Sequence, residues 1–187
     1  MNYFETIKCE DYEIFNLKYH ERRIANTIGK NINLQDYIYP TTNELLKCKV
    51  LYNKDEIIDV SFTPYKKRSI KKLQLIFDDS ISYKYKYENR DNLNTLFHQK
   101  NEADEIVIVK DNLITDTTIA NIAIFINEHW VTPKTPLLYG TTRQKYLDMN
   151  RLKEIDIDVN TFKKTKKIAL LNAMIDFDIL DDFHILM

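Results

Sequence analysis

Two lysines stand two residues apart in Tyr83-Lys84-Tyr85-Lys86-Tyr87. A lysine amine partly withdrawn from water loses its proton more readily and can then condense with an aldehyde. A strand here would send both side chains to one face, yet the same pattern suits an edge strand whose lysines keep their charged ends in water. Leu137-Leu138-Tyr139-Gly140-Thr141-Thr142-Arg143 sets a glycine and two hydroxyls where a helix is expected to start. Unpaired N–H groups and the helix dipole favour an anion at such a point, although Gly-Thr is also an ordinary way to begin a helix. Asp116, in Ile114-Thr115-Asp116-Thr117-Thr118-Ile119-Ala120-Asn121, lies between two apolar stretches. A carboxylate there either faces a cationic ring nitrogen or closes an Asx turn. An amine, an anion site and a sheltered carboxylate are the three contacts that a phosphorylated aldehyde with a basic ring would need.

The elements that must position these groups follow from apolar spacing. Tyr3–Cys9 alternates and turns at residues 10–13 into Ile14–Leu17, the pattern of a hairpin. Residues Tyr19–Ile28 read as a helix with Gly29 just past its end. Residues Asn33–Leu46 read as a second helix, interrupted at Pro40 and restarted at Thr41-Thr42-Asn43-Glu44. Lys47–Asn53, Ile57–Pro64 and Ser69–Phe77 are expected strands of a small α+β lobe over residues 1–80. A second lobe, residues 81–187, opens with a strand over Ile81–Tyr87 and a short helix over Asp91–Gln99. A β-meander follows in Asp104–Val109, Leu113–Asp116, Asn121–Ile126 and Trp130–Pro133. Its turns fall at Lys110-Asp111-Asn112 and Asn127-Glu128-His129, and Asn112 is expected to supply the left-handed residue that other chains fill with glycine. A helix from Gly140 to about Arg151 and strands at Lys167–Leu171 and Phe183–Met187 complete the expectation.

Composition narrows the function. A formal net charge of -1 offers no general attraction to nucleic acid. The apolar runs are strand-sized, far short of the roughly 20 residues that span a bilayer, so no membrane segment is expected. The N-terminus lacks the pattern of a secretory signal, and Cys9 and Cys48 have neither a CxxC partner nor a nearby histidine cluster. The two thiols read as small apolar residues, no metal is expected, and the cytoplasm is the expected compartment.

The ordered motifs closely resemble class IV (fold-type IV) aminotransferases and aminodeoxychorismate lyases. They are Phe4-Glu5-Thr6-Ile7-Lys8, His20-Glu21-Arg22-Arg23-Ile24, Ala103–Val109 through Asp116 to Asn121-Ile122-Ala123, Trp130–Pro133, Gly140–Arg143 and Leu171-Asn172-Ala173-Met174. The resemblance implies a mixed α+β fold of two lobes, the second rich in β-meander, and pyridoxal 5'-phosphate (PLP) as cofactor. By it Lys86 is the Schiff-base lysine, Lys84 being the other register. Arg23 holds the phosphate together with Gly140, Thr141, Thr142 and the Asn172-Ala173 segment. Asp116 pairs with the pyridine nitrogen, where many relatives have glutamate, and Asn121 belongs to the same cofactor-binding set. Lys8 and Arg68 are candidates for a substrate carboxylate, though either is equally a solvated strand residue.

Relatives usually carry a further strand and a turn before the segment matching Phe4, so the roof of the pocket is expected to differ. The implied activity is a lyase that converts 4-amino-4-deoxychorismate to 4-aminobenzoate and pyruvate in folate synthesis, because Asn172-Ala173-Met174 resembles the lyase form of that motif. The alternatives are an aminotransferase acting on a branched-chain or other amino acid, and a relative that binds PLP without catalysis. The expected partners are a small amino substrate and, by resemblance, a second copy in a homodimer.

Overall fold

Alternation of buried and half-buried residues along Tyr3–Glu10 makes β1, whose Tyr3, Ile7 and Cys9 share one inward face. The structure is a computed structural model describing residues Met1–Met187. A tight turn with Asp11 and Tyr12 at positive φ returns the chain into β2, only Glu13–Ile14. Asn16 then takes a left-handed conformation and α1 runs over Leu17–Ile28, so the expected second hairpin strand is cut short. The helix stops at Gly29, whose φ of 74° suits a residue without a side chain and whose N–H reaches the carbonyl of Ala25 at 2.8 Å. β3 (Leu46–Tyr52) and β4 (Ile57–Pro64) complete an antiparallel sheet in the order β2-β1-β3-β4. Ile7, Ile24, Leu34, Cys48 and Val50 fill the core beneath it, and both cysteines are free and buried.

The second helix expected over Asn33–Leu46 is absent, and only a single 3-10 turn forms, at Leu34–Asp36. Pro40 supplies no N–H, residues 41–44 are exposed, and Leu46, Cys48, Val50 and Tyr52 bury every second side chain. Period-two burial therefore outweighed the capping pattern.

Two compact units divide the chain. Met1–Lys67 with Tyr85–Asn89 form the first, and Arg68–Lys84 with Arg90–Met187 form the second. The strand expected over Ser69–Phe77 shortens to β5, Lys72–Phe77, and belongs to the second unit, where it lies parallel to β6. Its Leu73, Gln74, Leu75 and Ile76 are all buried, which a covered parallel strand demands and an exposed antiparallel edge does not.

The second unit continues with α2 (Asp91–Phe97), β6 (Glu105–Lys110), β7 (Leu113–Thr117), β8 (Asn121–Ile126) and β9 (His129–Pro133). After them come α3 (Thr141–Asp148), β10 (Lys153–Ile155), α4 (Val159–Lys163), β11 (Ile168–Asn172), β12 (Asp176–Ile179) and β13 (His184–Leu186). The sheet order is β10-β9-β8-β7-β6-β5-β13, with β11 joined to β8 and to β12. The expected meander is present, and its turns place Asp111, Asn112, Asn127 and Glu128 at positive φ. β7 and β8 pair only at Asp116 and Asn121, after which β8 pairs with β11 and β9. The sheet therefore opens at these two residues. No helix is long and apolar enough to cross a membrane.

Candidate active site

In the first unit, the inward face of β1 carries a glutamate. Glu5 stands in line with Tyr3, Ile7 and Cys9, opposite Val50 of β3, and is fully buried. Two residues of α1, one turn apart, meet it. Arg23 donates from Nε to Glu5 Oε1 at 2.8 Å and from Nη2 to Oε2, and His20 Nδ1 lies 2.6 Å from Oε2. Burial alone would raise the Glu5 carboxyl, but the charge of Arg23 and the hydrogen bonds from His20 and Arg23 hold it down at about 2. His20 is pushed below its ordinary value, first by burial and further by the positive charges of Arg23 and Lys86, against the pull of Glu5. With Glu5 ionised and able only to accept, the proton of neutral His20 sits on Nδ1. Its Nε2 is buried without a protein partner.

Lys86 belongs to the same unit. The strand expected over Ile81–Tyr87 does not form: Tyr87 makes one bridge to Tyr3, and Phe4 N–H donates to the Lys86 carbonyl at 2.9 Å. Alternation therefore does not relate the two lysines. Lys84 is exposed and part of the second unit, whereas Lys86 is half-buried with Nζ 4.4 Å from the centre of the Phe4 ring. Lys8 forms an ion pair with Glu10 at 2.6 Å and lies over Phe15.

In the second unit the chemistry gathers where β7 and β8 part. Asp116 is buried and accepts from Asn121 Nδ2 at 2.6 Å and from the Leu138 N–H at 2.9 Å. Burial pushes its carboxyl up to about 6, opposed by these two donors and by the charge of Arg143. Asn121 also donates to the Leu138 carbonyl at 2.8 Å. One amide thus joins the carboxylate to the loop that leads into α3. A Cβ on Gly140 would lie 1.9 Å from Asn121 Oδ1, so only glycine admits this packing.

Beyond Gly140, the first turn of α3 is buried at Thr141, Thr142 and Arg143. Arg143 donates to the Pro133 carbonyl at 2.9 Å and to Glu154 at 2.5 Å. Thr142 Oγ1 and Arg143 Nε are buried without protein partners. Asn172 uses its side-chain oxygen on the N–H groups of Met174 and Ile175 and its amide on the Ile119 carbonyl. It therefore braces the turn after β11, leaving the backbone of Asn172-Ala173 as what this segment would offer a ligand.

Arg68 is half exposed and donates to the Asp104 carbonyl at 2.8 Å, close to Glu105. Glu105 is fully buried and accepts from the Thr118 hydroxyl at 2.7 Å, while Arg90 donates to the Thr118 carbonyl at 2.6 Å. The sequence reading assigned no role to Glu5, His20, Glu105 or Arg143. The signal for Glu5 was visible as a charge on the otherwise apolar face of an alternating strand.

The family model for amino-transferase class IV matches residues 2–177. The chain belongs to the class IV aminotransferase family. This class IV chain is 34% identical to an uncharacterized protein of Haemophilus influenzae, over 91% of its own length and 96% of that protein. A crystal structure from Haemophilus somnus, of a protein named for a proposed 4-amino-4-deoxychorismate lyase activity, superposes with a TM-score of 0.81 at 30% identity. That match covers 92% of this class IV chain and 96% of the other. A hypothetical aminotransferase from Mycobacterium tuberculosis, solved with α-ketoglutarate and PMP, shares the fold with a TM-score of 0.79 at 15% identity, covering 97% of this chain and 81% of that one. The mixed α+β fold expected from the motifs is thus the fold of this family.

Proposed function

We propose that the chain is a PLP-dependent lyase that converts 4-amino-4-deoxychorismate to 4-aminobenzoate and pyruvate. The observation that carries this reading is the near full-length likeness to the Haemophilus somnus protein, joined to the Asn172-Ala173-Met174 motif. The residues fit the cofactor. Buried polar atoms without protein partners, on Thr142 and Arg143, occur in the segment assigned to the phosphate, and the glycine before α3 is required by packing. In the first unit Arg23 would offer a phosphate its guanidinium, and in the second the N-terminal turn of α3 would offer backbone N–H donors. Asp116 would hold a proton on the pyridine nitrogen, since a cation beside a buried carboxylate restores the ionised form that burial disfavours.

When bound, the cofactor supplies an aldehyde for amines and a ring that withdraws electrons from the bond to be broken. Lys86, whose amine lies over the Phe4 ring, would then carry the proton removed beside the substrate nitrogen. Arg68 and Lys8 stand as candidates for a substrate carboxylate, each engaged with acidic or carbonyl oxygens in the unliganded chain.

The test is the visible spectrum of purified protein with PLP, before and after borohydride reduction and peptide mapping. The label is expected on Lys86, and its appearance on Lys84 or nowhere would overturn the assignment. Pyruvate release from aminodeoxychorismate without any keto acid is then expected. Turnover that depends on α-ketoglutarate would favour the aminotransferase reading, which the likeness to the Mycobacterium tuberculosis protein keeps open at the level of fold. PLP binding without turnover of either kind would identify a non-catalytic relative. Sedimentation at working concentration tests the homodimer that accompanies this reading.

A further inference from the structure

We propose that Glu5 is a positioning residue that sets the plane of the Arg23 guanidinium for a phosphate monoester. This rests on the assignment of Arg23 to the cofactor phosphate. A guanidinium is a rigid planar fork, so holding one edge fixes the direction of the other. Glu5 takes the Nε and Nη2 edge through two hydrogen bonds to its two oxygens, which orients the remaining Nη1 and Nη2 edge without any contact from Glu5 to the ligand.

The carboxylate is itself held on three sides. It stands on β1 opposite Val50, it accepts twice from Arg23, and it accepts from His20 Nδ1, one helical turn from Arg23 on α1. Neither Glu5 nor His20 has any exposed surface. A fully buried glutamate and histidine with a partly buried arginine cost more to desolvate than a core of aliphatic side chains in the same space. Their presence on an otherwise apolar face therefore calls for a role beyond packing. His20 Nε2 is likewise buried without a protein partner, but with the proton on Nδ1 it is an acceptor, so the contact that bears on a phosphate is the one between Glu5 and Arg23.

The experiment compares PLP with pyridoxal, which differ only by the phosphate, in wild-type protein, Glu5→Gln and Arg23→Lys. Glutamine keeps the shape of Glu5 but turns an acceptor into a donor facing Arg23 or His20. Wild type is expected to prefer PLP, and Glu5→Gln to lose roughly tenfold or more of that preference while its affinity for pyridoxal stays within about twofold. Arg23→Lys should lose a similar share. Equal weakening of both ligands in Glu5→Gln would mean that Glu5 serves folding alone, and the proposal fails. A wild type that binds PLP no better than pyridoxal removes the phosphate assignment of Arg23 itself, and the proposal with it. If Glu5→Gln does not fold, the His20 ring in wild-type protein decides by NMR. The Nδ1 proton is expected to shift with PLP and stay in place with pyridoxal, and a resonance indifferent to the phosphate overturns the proposal.

Discussion

Glu5 and Asp116 are both carboxylates without access to water, yet they sit at opposite ends of the acid scale. Glu5, in the first unit, is held at about 2, whereas Asp116, in the second, rises to about 6. Burial acts in the same direction on both. The difference lies in the donors: Glu5 meets a guanidinium in direct contact and an imidazole, whereas Asp116 meets two neutral N–H groups and feels Arg143 only as a further charge. A directly paired carboxylate is finished, with its counter-charge supplied by the protein. A buried one held by neutral donors still lacks a cation, which is the state expected of a group awaiting a protonated ring nitrogen.

The sharpest way to break this comparison is to remove the completed pair. Glu5→Ala leaves Arg23 and His20 without their acceptor and should cost about 3–5 kcal/mol in urea unfolding of the first unit. A loss below 1 kcal/mol would mean that water already compensates the pair. Arg23→Ala should cost a comparable amount and should not add to Glu5→Ala, because both remove one interaction.

Acid titration should separate the two carboxylates by sign. Glu5 is depressed from 4.5 to about 2, so its contribution is full above pH 4.5 and is lost as pH falls toward 2, by about 3 kcal/mol. His20 acts the same way at milder acidity, since a histidine buried in neutral form loses stability as the unfolded chain gains its proton below about pH 6.5. Asp116 is raised from 3.8 to about 6, so it opposes them. The protonated form is the comfortable one, and stability falls by about 3 kcal/mol as pH rises from 3.8 through 6. In Asp116→Asn that opposing slope should vanish from unfolding curves collected between pH 4 and 7. An unchanged slope would show that Asp116 keeps an ordinary acidity. PLP binding to wild type should strengthen as pH rises through about 6 and lose this dependence in the same variant.

Smaller effects come from the two glycines, one in each unit. Gly140→Ala drives a Cβ into Asn121 and should cost about 1–3 kcal/mol by displacing the amide that holds Asp116. Its PLP affinity should fall with it. Gly29→Ala meets nothing within 4 Å and suffers only from its φ of 74°, so about 1 kcal/mol of thermal stability and no change in PLP affinity are expected. Equal effects of the two changes on PLP binding would sink the view that Gly140 is tied to the site through Asn121.

Much of the scaffold was legible before the structure. The meander strands, α1 with Gly29 at its end, and α3 beginning after Gly140 came from apolar period and turn residues, which are local properties. The elements misread were those whose state depended on what they packed against. Ser69–Phe77 was rightly a strand in its second half, but its sheet was set by parallel pairing with β6, a partner some thirty residues away. The expected strand around Lys84 and Lys86 is irregular because its backbone hydrogen bonds go to Phe4 and Asn2, which no local pattern encodes. The short elements β10, α4 and β12 were missed because three to five residues carry too little periodicity to register.

The family, the turn chemistry and the residue types the site would need were readable along the chain, because these rest on short spacing and ordered motifs. Which charges are complete emerges only on folding. Whether a carboxylate is depressed or raised depends on partners brought from other elements, α1 to β1 for Glu5 and the loop before α3 to β7 for Asp116. Those partners lie 15, 18 and 22 residues away along the chain, a separation that only folding closes.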